Sequence, residues 1–190
     1  MFEYLGVLIA VILGLSLTHL LRGLSKLIQQ RRTVKPYWVH VVWTINILIY
    51  VLAIWWGMFW WTKLQVWTIE EFFYIAGYCI VLFMLASMLY PPEFSHDLDC
   101  EDYFFANRSW FFGIQLAAWL LDIPETLAKA GAHLRDVPRQ YEFFLPTMLI
   151  ISLLGLGSAN RRVHGVLCLA WLAATISYLT FTSLEKIVAQ

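Results

Sequence analysis

The feature that most constrains this chain is a series of apolar runs, each about 20 residues long. The first run, from Leu5 to Ile28, contains only two charged residues, Arg22 and Lys26. An α-helix needs about 20 apolar residues to cross a hydrocarbon core of roughly 30 Å. Composition agrees, since 61% of residues are hydrophobic, 14% are charged and the mean hydropathy is +0.67. The sequence therefore predicts an all-α, polytopic integral membrane protein.

Breaks between the apolar runs divide the chain into six predicted transmembrane helices within a single domain, residues 1–190. Pro36 and the pair Pro91-Pro92 interrupt helices, because proline lacks a backbone N–H. Thr68 is expected to cap the start of the third span. A polar stretch after the fourth run predicts a further helix along the membrane surface, residues 125–135. The predicted spans are residues 5–28, 37–61, 69–90, 104–121, 141–156 and 163–184.

Lysine and arginine are distributed unequally between the two predicted sides of the membrane. The turn after span one, the loop before span four and the turn after span five share one side and hold eight basic residues. The opposite side holds five. Because basic loops are retained in the cytoplasm, we expect these three loops to be cytoplasmic and both termini to be extracytoplasmic.

This orientation brings several polar residues of the spans toward the cytoplasmic half. Ionisable groups inside a span are costly and usually face the bundle interior or water. Histidine, in addition, titrates near neutral pH. An alternative is that the basic and His residues snorkel to headgroups and that the amides make interhelical hydrogen bonds. The predicted polar pocket or path consists of Thr18, His19, Arg22, His40, Asn46, Arg108, Gln115 and His164.

The loop before span four is the most acidic segment of the chain. Such a run is usually a solvated loop, and it is also suited to contact a basic cytoplasmic partner. Its members are Glu93, His96, Asp97, Asp99, Glu101 and Asp102.

Small residues recur every fourth position in the first span, at Gly6, Ala10 and Gly14. Rows of this kind let helix backbones approach closely, and in lipid such packing drives association. The row is expected to pack either within the bundle or between protomers of a homo-oligomer.

Motifs of known chemistry are missing from the sequence. It contains no phosphate-binding glycine loop, nucleophile elbow or paired-Cys motif, so we expect no enzymatic activity and no bound cofactor. Two weaker alternatives are a haem between His19 and His40 and a metal site using His96, Asp97, Asp99 and His164. Basic and acidic residues balance at 13 each, which does not favour nucleic-acid binding.

Short motifs along most of the chain form a recognisable set. They are Phe2-Glu3-Tyr4, Leu13-Gly14-Leu15, Thr18-His19-Leu20-Leu21, Gly23-Leu24, Tyr37-Trp38, His40, Trp43, Trp55-Trp56, Leu89-Tyr90-Pro91 and Trp110-Phe111-Phe112-Gly113. In these motifs the chain resembles a broad family of small bacterial six-helix membrane proteins of uncharacterised function. The resemblance implies a six-helix fold in a bacterial inner membrane, and it transfers no activity, ligand or catalytic residue.

Three hypotheses for function follow from these features. The first is a channel or small permease for ions, protons or a small polar solute, using the predicted polar path. The second is a membrane sensor, effector or assembly subunit that contacts a cytoplasmic protein partner through the acidic loop. The third is a haem- or metal-binding redox protein. In each case we expect contact with the lipid bilayer and a homo-oligomer.

Overall fold

The computed structural model describes the backbone of residues 2–95 and 97–188 and the side chains of residues 4–95 and 97–182. These residues form six α-helices, which confirms the predicted all-α, six-helix fold. A short 3-10 helix, Phe59–Lys63, follows the second helix. The helices are α1 (Phe2–Gln29), α2 (Trp38–Met58), α3 (Ile69–Ser87), α4 (Cys100–Gly131), α5 (Tyr141–Gly157) and α6 (Arg161–Val188).

Four segments of these helices are long and apolar enough to cross a membrane. The α5 helix is also apolar but shorter, while α4 is longer and contains buried charged residues. Large apolar side chains are exposed on all six helices, among them Val11, Phe73 and Ile176. Such an extensive apolar surface suits contact with lipid. The fold is thus that of a multi-pass membrane protein, with candidate spans Tyr4–Gln29, Trp38–Lys63, Ile69–Ser87 and Arg161–Thr182.

The α2 helix is the centre of the bundle, because it contacts α1, α3, α4 and α6. Its packing depends on large aromatic rings. Trp43 is fully buried and meets Phe111 and Phe112 of α4 edge-on, with ring centroids 5.3 Å apart in each case. Two turns further along, Tyr50 stacks on Trp119 of α4 at 4.5 Å. These contacts fill the middle of the bundle with aromatic side chains.

The two ends of the bundle differ in chemistry. We call the end formed by residues 30–37, 88–95, 97–99 and 158–162 the basic end, and the end formed by residues 59–68 and 132–140 the Trp-rich end. At the basic end, backbone hydrogen bonds of Lys35 with Leu98 and Cys100 tie the α1–α2 turn to the loop before α4. At the Trp-rich end, Thr68 and Glu71 form a capping box that starts α3.

One expected element differs in the structure. Residues 125–131 are not a separate surface helix, because α4 continues through Pro124 to Gly131 and residues 132–135 form a turn. Glu125 and Lys129 are 4% and 5% exposed, so this last part of α4 packs into the bundle. The expected third span also ends earlier, at Ser87, and residues 88–90 form a turn before Pro91.

The predicted row of small residues on α1 does not pack within the chain at Gly14. A Cβ atom placed there would have no neighbour within 4 Å, whereas one at Gly23 would overlap the ring of Tyr90. Glycine is therefore required at position 23, where α1 closely approaches Tyr90 in the turn after α3. The partly exposed face around Gly14 remains open to a second copy of the chain.

These two glycines provide a matched test of the packing of α1. We expect Gly23→Ala to destabilise the protein by about 1–3 kcal/mol, because the new methyl group overlaps the buried ring of Tyr90. Gly14→Ala should be neutral or slightly stabilising, since alanine favours a helix. Thermal unfolding of both variants in detergent micelles measures the difference. Equal melting temperatures would contradict the contact with Tyr90.

Candidate functional site

The predicted polar residues of the basic end are brought together only in part. The ring of Tyr90 lies against two of them, with its centroid 4.8 Å from that of His40 and 6.5 Å from that of His19. His40 is 1% exposed and also stacks on Tyr103 at 6.3 Å. These histidines therefore belong to an aromatic cluster.

Three other predicted residues make contacts between or at the ends of helices. The Asn46 amide donates to the carbonyl of Cys168 at 2.9 Å, which joins α2 to α6. Ser152 Oγ donates to Gln115 Oε1 at 3.4 Å, which joins α5 to α4. His164 Nε2 donates to the carbonyl of Ser158 at 2.8 Å. Each of these side chains thus makes a hydrogen bond within the protein, while Asn46 Oδ1, Gln115 Nε2 and His164 Nδ1 are buried without a hydrogen-bond partner among the described residues.

The remaining members of the predicted path are Thr18, Arg22 and Arg108. Thr18 and Arg22 are exposed on α1, and the Thr18 hydroxyl donates to its own helix at the Gly14 carbonyl. Arg108 is half-buried on α4. His19 and His40 share the ring of Tyr90, and none of the eight residues lines the cavity described below.

The acidic loop is used largely for contacts within the chain. Asp99 caps α4 by accepting from the backbone amides of Glu101 and Asp102, and it pairs with Lys35 at 3.6 Å. Glu101 pairs with Arg161 at 2.7 Å. Glu93, Asp97 and Asp102 are exposed, and His96 lies outside the described residues.

The geometry does not favour the metal or haem hypotheses. Across residues 4–95 and 97–182, no group of three or more His, Cys, Asp or Glu side chains is placed to hold a metal ion. The faces of the His40 ring are covered by Tyr90 and Tyr103, and Tyr90 also contacts His19. A haem held by His19 and His40 would have to displace these packed rings.

A different set of polar residues is buried near the Trp-rich end. Lys129 Nζ lies 2.5 Å from Glu125 Oε1 within one helical turn, and both side chains are more than 90% buried. Trp61 Nε1 donates to the same carboxylate at 2.9 Å, and its ring lies 5.9 Å from Lys129 Nζ. Burying an ion pair is costly unless hydrogen bonds complete it, and Trp61 supplies one.

Asp122 lies one turn before Glu125 on α4 and is 7% exposed. Both of its oxygens accept hydrogen bonds from tyrosines, from Tyr78 at 3.0 Å and from Tyr141 at 2.8 Å. Tyr50 lies 3.1 Å from Tyr78, and because Tyr78 donates its single proton to Asp122, Tyr50 donates to Tyr78. A hydrogen-bonded chain therefore connects the middle of the bundle to the Asp122 carboxyl group.

These charged residues line a cavity of about 390 Å³. Its walls come from α2, α4, α5, α6 and the turn between α4 and α5. Ligand-binding pockets commonly have volumes of about 300–1,000 Å³ with an apolar lining and a few polar groups. The polar and aromatic side chains at its wall include Tyr50, Trp119, Asp122, Glu125, Lys129, Arg135, Asp136, Tyr141, Phe144 and Tyr178.

The sequence contained a signal for this site that the hydropathy pattern concealed. Asp122, Glu125 and Lys129 are three and four residues apart, which places them on one face of a helix. Because this charged face comes directly after an apolar run, the sequence predicts a surface helix at residues 125–135. It is instead a buried continuation of the same helix. The tyrosines that complete the site come from α2, α3 and α5, so no local pattern groups them.

The arrangement can bind a polar or charged group in a cavity whose lining also contains apolar side chains. Inside a membrane protein, ionisable residues at such a position generally mark a substrate or ion pathway. The Tyr78 and Tyr141 hydroxyls fix the orientation of the Asp122 carboxylate, whose remaining lone pairs can accept from a ligand. The cavity is therefore the candidate functional site.

The acidic loop gives a prediction for stability. The backbone amides of Asp102 and Glu101, together with Lys35, lower the pKa of Asp99. Its carboxylate therefore stabilises the fold at pH values above about 4, the value for an unfolded chain, and this stabilisation is lost as pH falls through the lowered pKa. Asp99→Asn keeps a helix cap and removes the charge, whereas Asp99→Ala removes both.

We expect Asp99→Ala to lower the melting temperature at neutral pH more than Asp99→Asn does. The difference between wild type and Asp99→Asn should shrink as the pH is lowered below about 4. Thermal unfolding across a pH series measures both effects. A difference that grew in acid would show that the charge does not stabilise the fold.

A double-mutant cycle tests the buried ion pair. Glu125→Gln or Lys129→Met alone should cost about 3–5 kcal/mol, because each leaves the partner's charge buried and unpaired. The double variant should cost less than either single one, and the glutamine that replaces Glu125 would still accept from Trp61. Unfolding in detergent gives the three values. Additive losses would contradict a direct pairing.

Comparison of the chain with protein-family models, with curated proteins and with solved structures gives no match. The resemblance suggested by the short motifs therefore assigns no family to the chain.

Proposed function

We propose that the protein is a permease of the bacterial inner membrane that binds a small solute in the cavity at the Trp-rich end. The observation that carries this proposal is the buried charged cluster of Asp122, Glu125 and Lys129 beside a cavity of about 390 Å³. Burying three ionisable side chains in an apolar bundle is costly for stability alone. Ionisable side chains inside a membrane protein generally belong to a substrate or ion pathway, so we assign these three to solute binding.

A permease accounts for the packing better than an open channel does. The cavity has a floor that includes Tyr50 and Trp119, and both rings contact Trp171 of α6. Beyond that floor, Trp171 meets Trp43 at 6.2 Å, and Trp43 meets Phe111 and Phe112. Packed rings between the cavity and the basic end fit a carrier that opens to one side at a time.

The distribution of charge supports an orientation for this carrier. Arg31, Arg32, Lys35, Arg161 and Arg162 lie at the basic end, which by the positive-inside rule would face the cytoplasm. All six helices would then cross the membrane and both termini would be extracytoplasmic. The cavity would open toward the extracytoplasmic side in this conformation.

The proposal predicts saturable uptake into proteoliposomes. Labelled choline, mannitol and succinate represent a cationic, a neutral and an anionic solute, and we expect at least one to enter faster than into empty liposomes. Asp122→Asn should lower the initial rate by roughly tenfold or more, since a hydrogen bond to a charged group is worth about 1.5–3 kcal/mol. The control is Glu70→Gln, an exposed carboxylate at the same end that does not line the cavity.

Uptake equal to that of empty liposomes for all three solutes would contradict a permease. Flux that rises linearly with concentration and is unaffected by Asp122→Asn would indicate a pore elsewhere in the protein. Folding of each variant is checked by its melting temperature in the same detergent.

A further inference from the structure

We infer that the cavity takes an organic ammonium cation with a small apolar body, held between the Asp122 carboxylate and the surrounding aromatic rings. The inference rests on the proposed function, since it names the solute class of the same site. Three independent features carry it: the charges of the lining, the aromatic walls and the apolar side chains near Asp122.

The charges of the lining favour a cation. Three carboxylates, Asp122, Glu125 and Asp136, line the cavity together with two cations, Lys129 and Arg135. Lys129 is already paired with Glu125 at 2.5 Å. The Arg135 guanidinium lies over the ring of Trp60, 5.7 Å from its centroid.

Asp122 is the buried carboxylate left for a ligand, since Glu125 pairs with Lys129 and Asp136 is exposed. Within the part of the chain that the structure describes, it makes no ion pair. Its partners are the uncharged hydroxyl groups of Tyr78 and Tyr141. These hydroxyls hold the carboxylate in place without neutralising it. An ammonium group beside Asp122 would complete a charge pair with a carboxylate that is 7% exposed.

The walls around Asp122 are aromatic. Tyr50 and Trp119 stack at 4.5 Å, Phe144 and Tyr178 stack at 4.3 Å, and Trp119 meets Phe144 edge-on at 5.6 Å. All four rings line the cavity. The face of an aromatic ring is electronegative, so a desolvated cation is attracted to each well-placed ring. A carboxylate beside several rings is the arrangement that binds ammonium ions.

The same features disfavour an anionic ligand. A carboxylate or phosphate group would meet the Asp122 carboxylate, and to gain a cationic partner there it would have to draw Lys129 away from Glu125. Specificity of this kind comes from repulsion as well as attraction.

The apolar part of the lining favours a solute with an apolar body. Ile49, Leu52, Ala53 and Ile54 of α2 contribute to the wall, and Leu52 is 44% exposed. An alkyl or aromatic body on the ammonium group would contact these side chains. A strongly hydrated metal cation lacks such contacts, so the lining selects an organic ion.

Binding can be measured without transport. Purified protein in detergent is titrated with choline, with butylammonium and with succinate by calorimetry. The matched neutral ligand is dimethylbutanol, in which carbon replaces the nitrogen of choline. We expect saturable binding of at least one ammonium ion, and dimethylbutanol should bind roughly tenfold more weakly or not at all.

Three variants distinguish a binding role from a structural one. Asp122→Asn should weaken ammonium binding at least about tenfold, and Tyr178→Leu should weaken it several-fold, because a ring is lost. Phe73→Leu removes an exposed ring of α3 that does not line the cavity, and this variant should bind like wild type. Melting temperatures identify any variant that fails to fold, and Tyr178→Leu then remains as a test independent of the carboxylate.

Equal binding of choline and dimethylbutanol would overturn the inference, as would tighter binding of succinate or unchanged binding in Asp122→Asn. Ammonium binding without uptake into proteoliposomes would retain the site and contradict the permease. Uptake of mannitol or succinate without ammonium binding would retain the permease and overturn the solute class.

Discussion

The packing of α2 at the centre of the bundle determines where the other helices lie. Its aromatic residues Trp43 and Tyr50 contact rings of α4 and α6, which fixes these helices around it. Lipid is as apolar as a leucine side chain, so helix association in a membrane relies on close contacts and interhelical hydrogen bonds. The amide of Asn46 adds such a bond by donating to the Cys168 carbonyl on α6. The cavity forms where these helices separate toward the Trp-rich end.

Polar residues play opposite roles at the two ends. At the basic end, Asp99 and Glu101 pair with Lys35 and Arg161 and so hold loops together. Near the Trp-rich end, Glu125 satisfies Lys129 while Asp122 is held only by uncharged hydroxyls. A buried carboxylate that makes no ion pair among the described residues is the feature that structural needs alone do not explain. This difference is the basis for proposing both a permease and an ammonium solute.

Much of the fold, and little of the site, was predictable. The runs of apolar residues predicted six helices, since hydropathy over about 20 residues is a local property. The predicted cap at Thr68 is confirmed, because a capping box is also local. The predicted polar path instead combined residues by depth in the membrane, and depth does not say which way a side chain points. Thr18 and Arg22 accordingly lie on the exposed surface, whereas His40 is buried among aromatic rings.

Local sequence was enough to specify apolar helices that can cross a membrane, and to place Asp122, Glu125 and Lys129 on one helix face. Only the packed bundle decides that this face turns inward. There it meets Trp61, Tyr78 and Tyr141. Tyr78 and Asp122 are 44 residues apart, and Trp61 and Glu125 are 64 residues apart. Contacts at such separations depend on the rotation and crossing of whole helices. Those are set by the packing of large side chains along their full length, which no short pattern encodes.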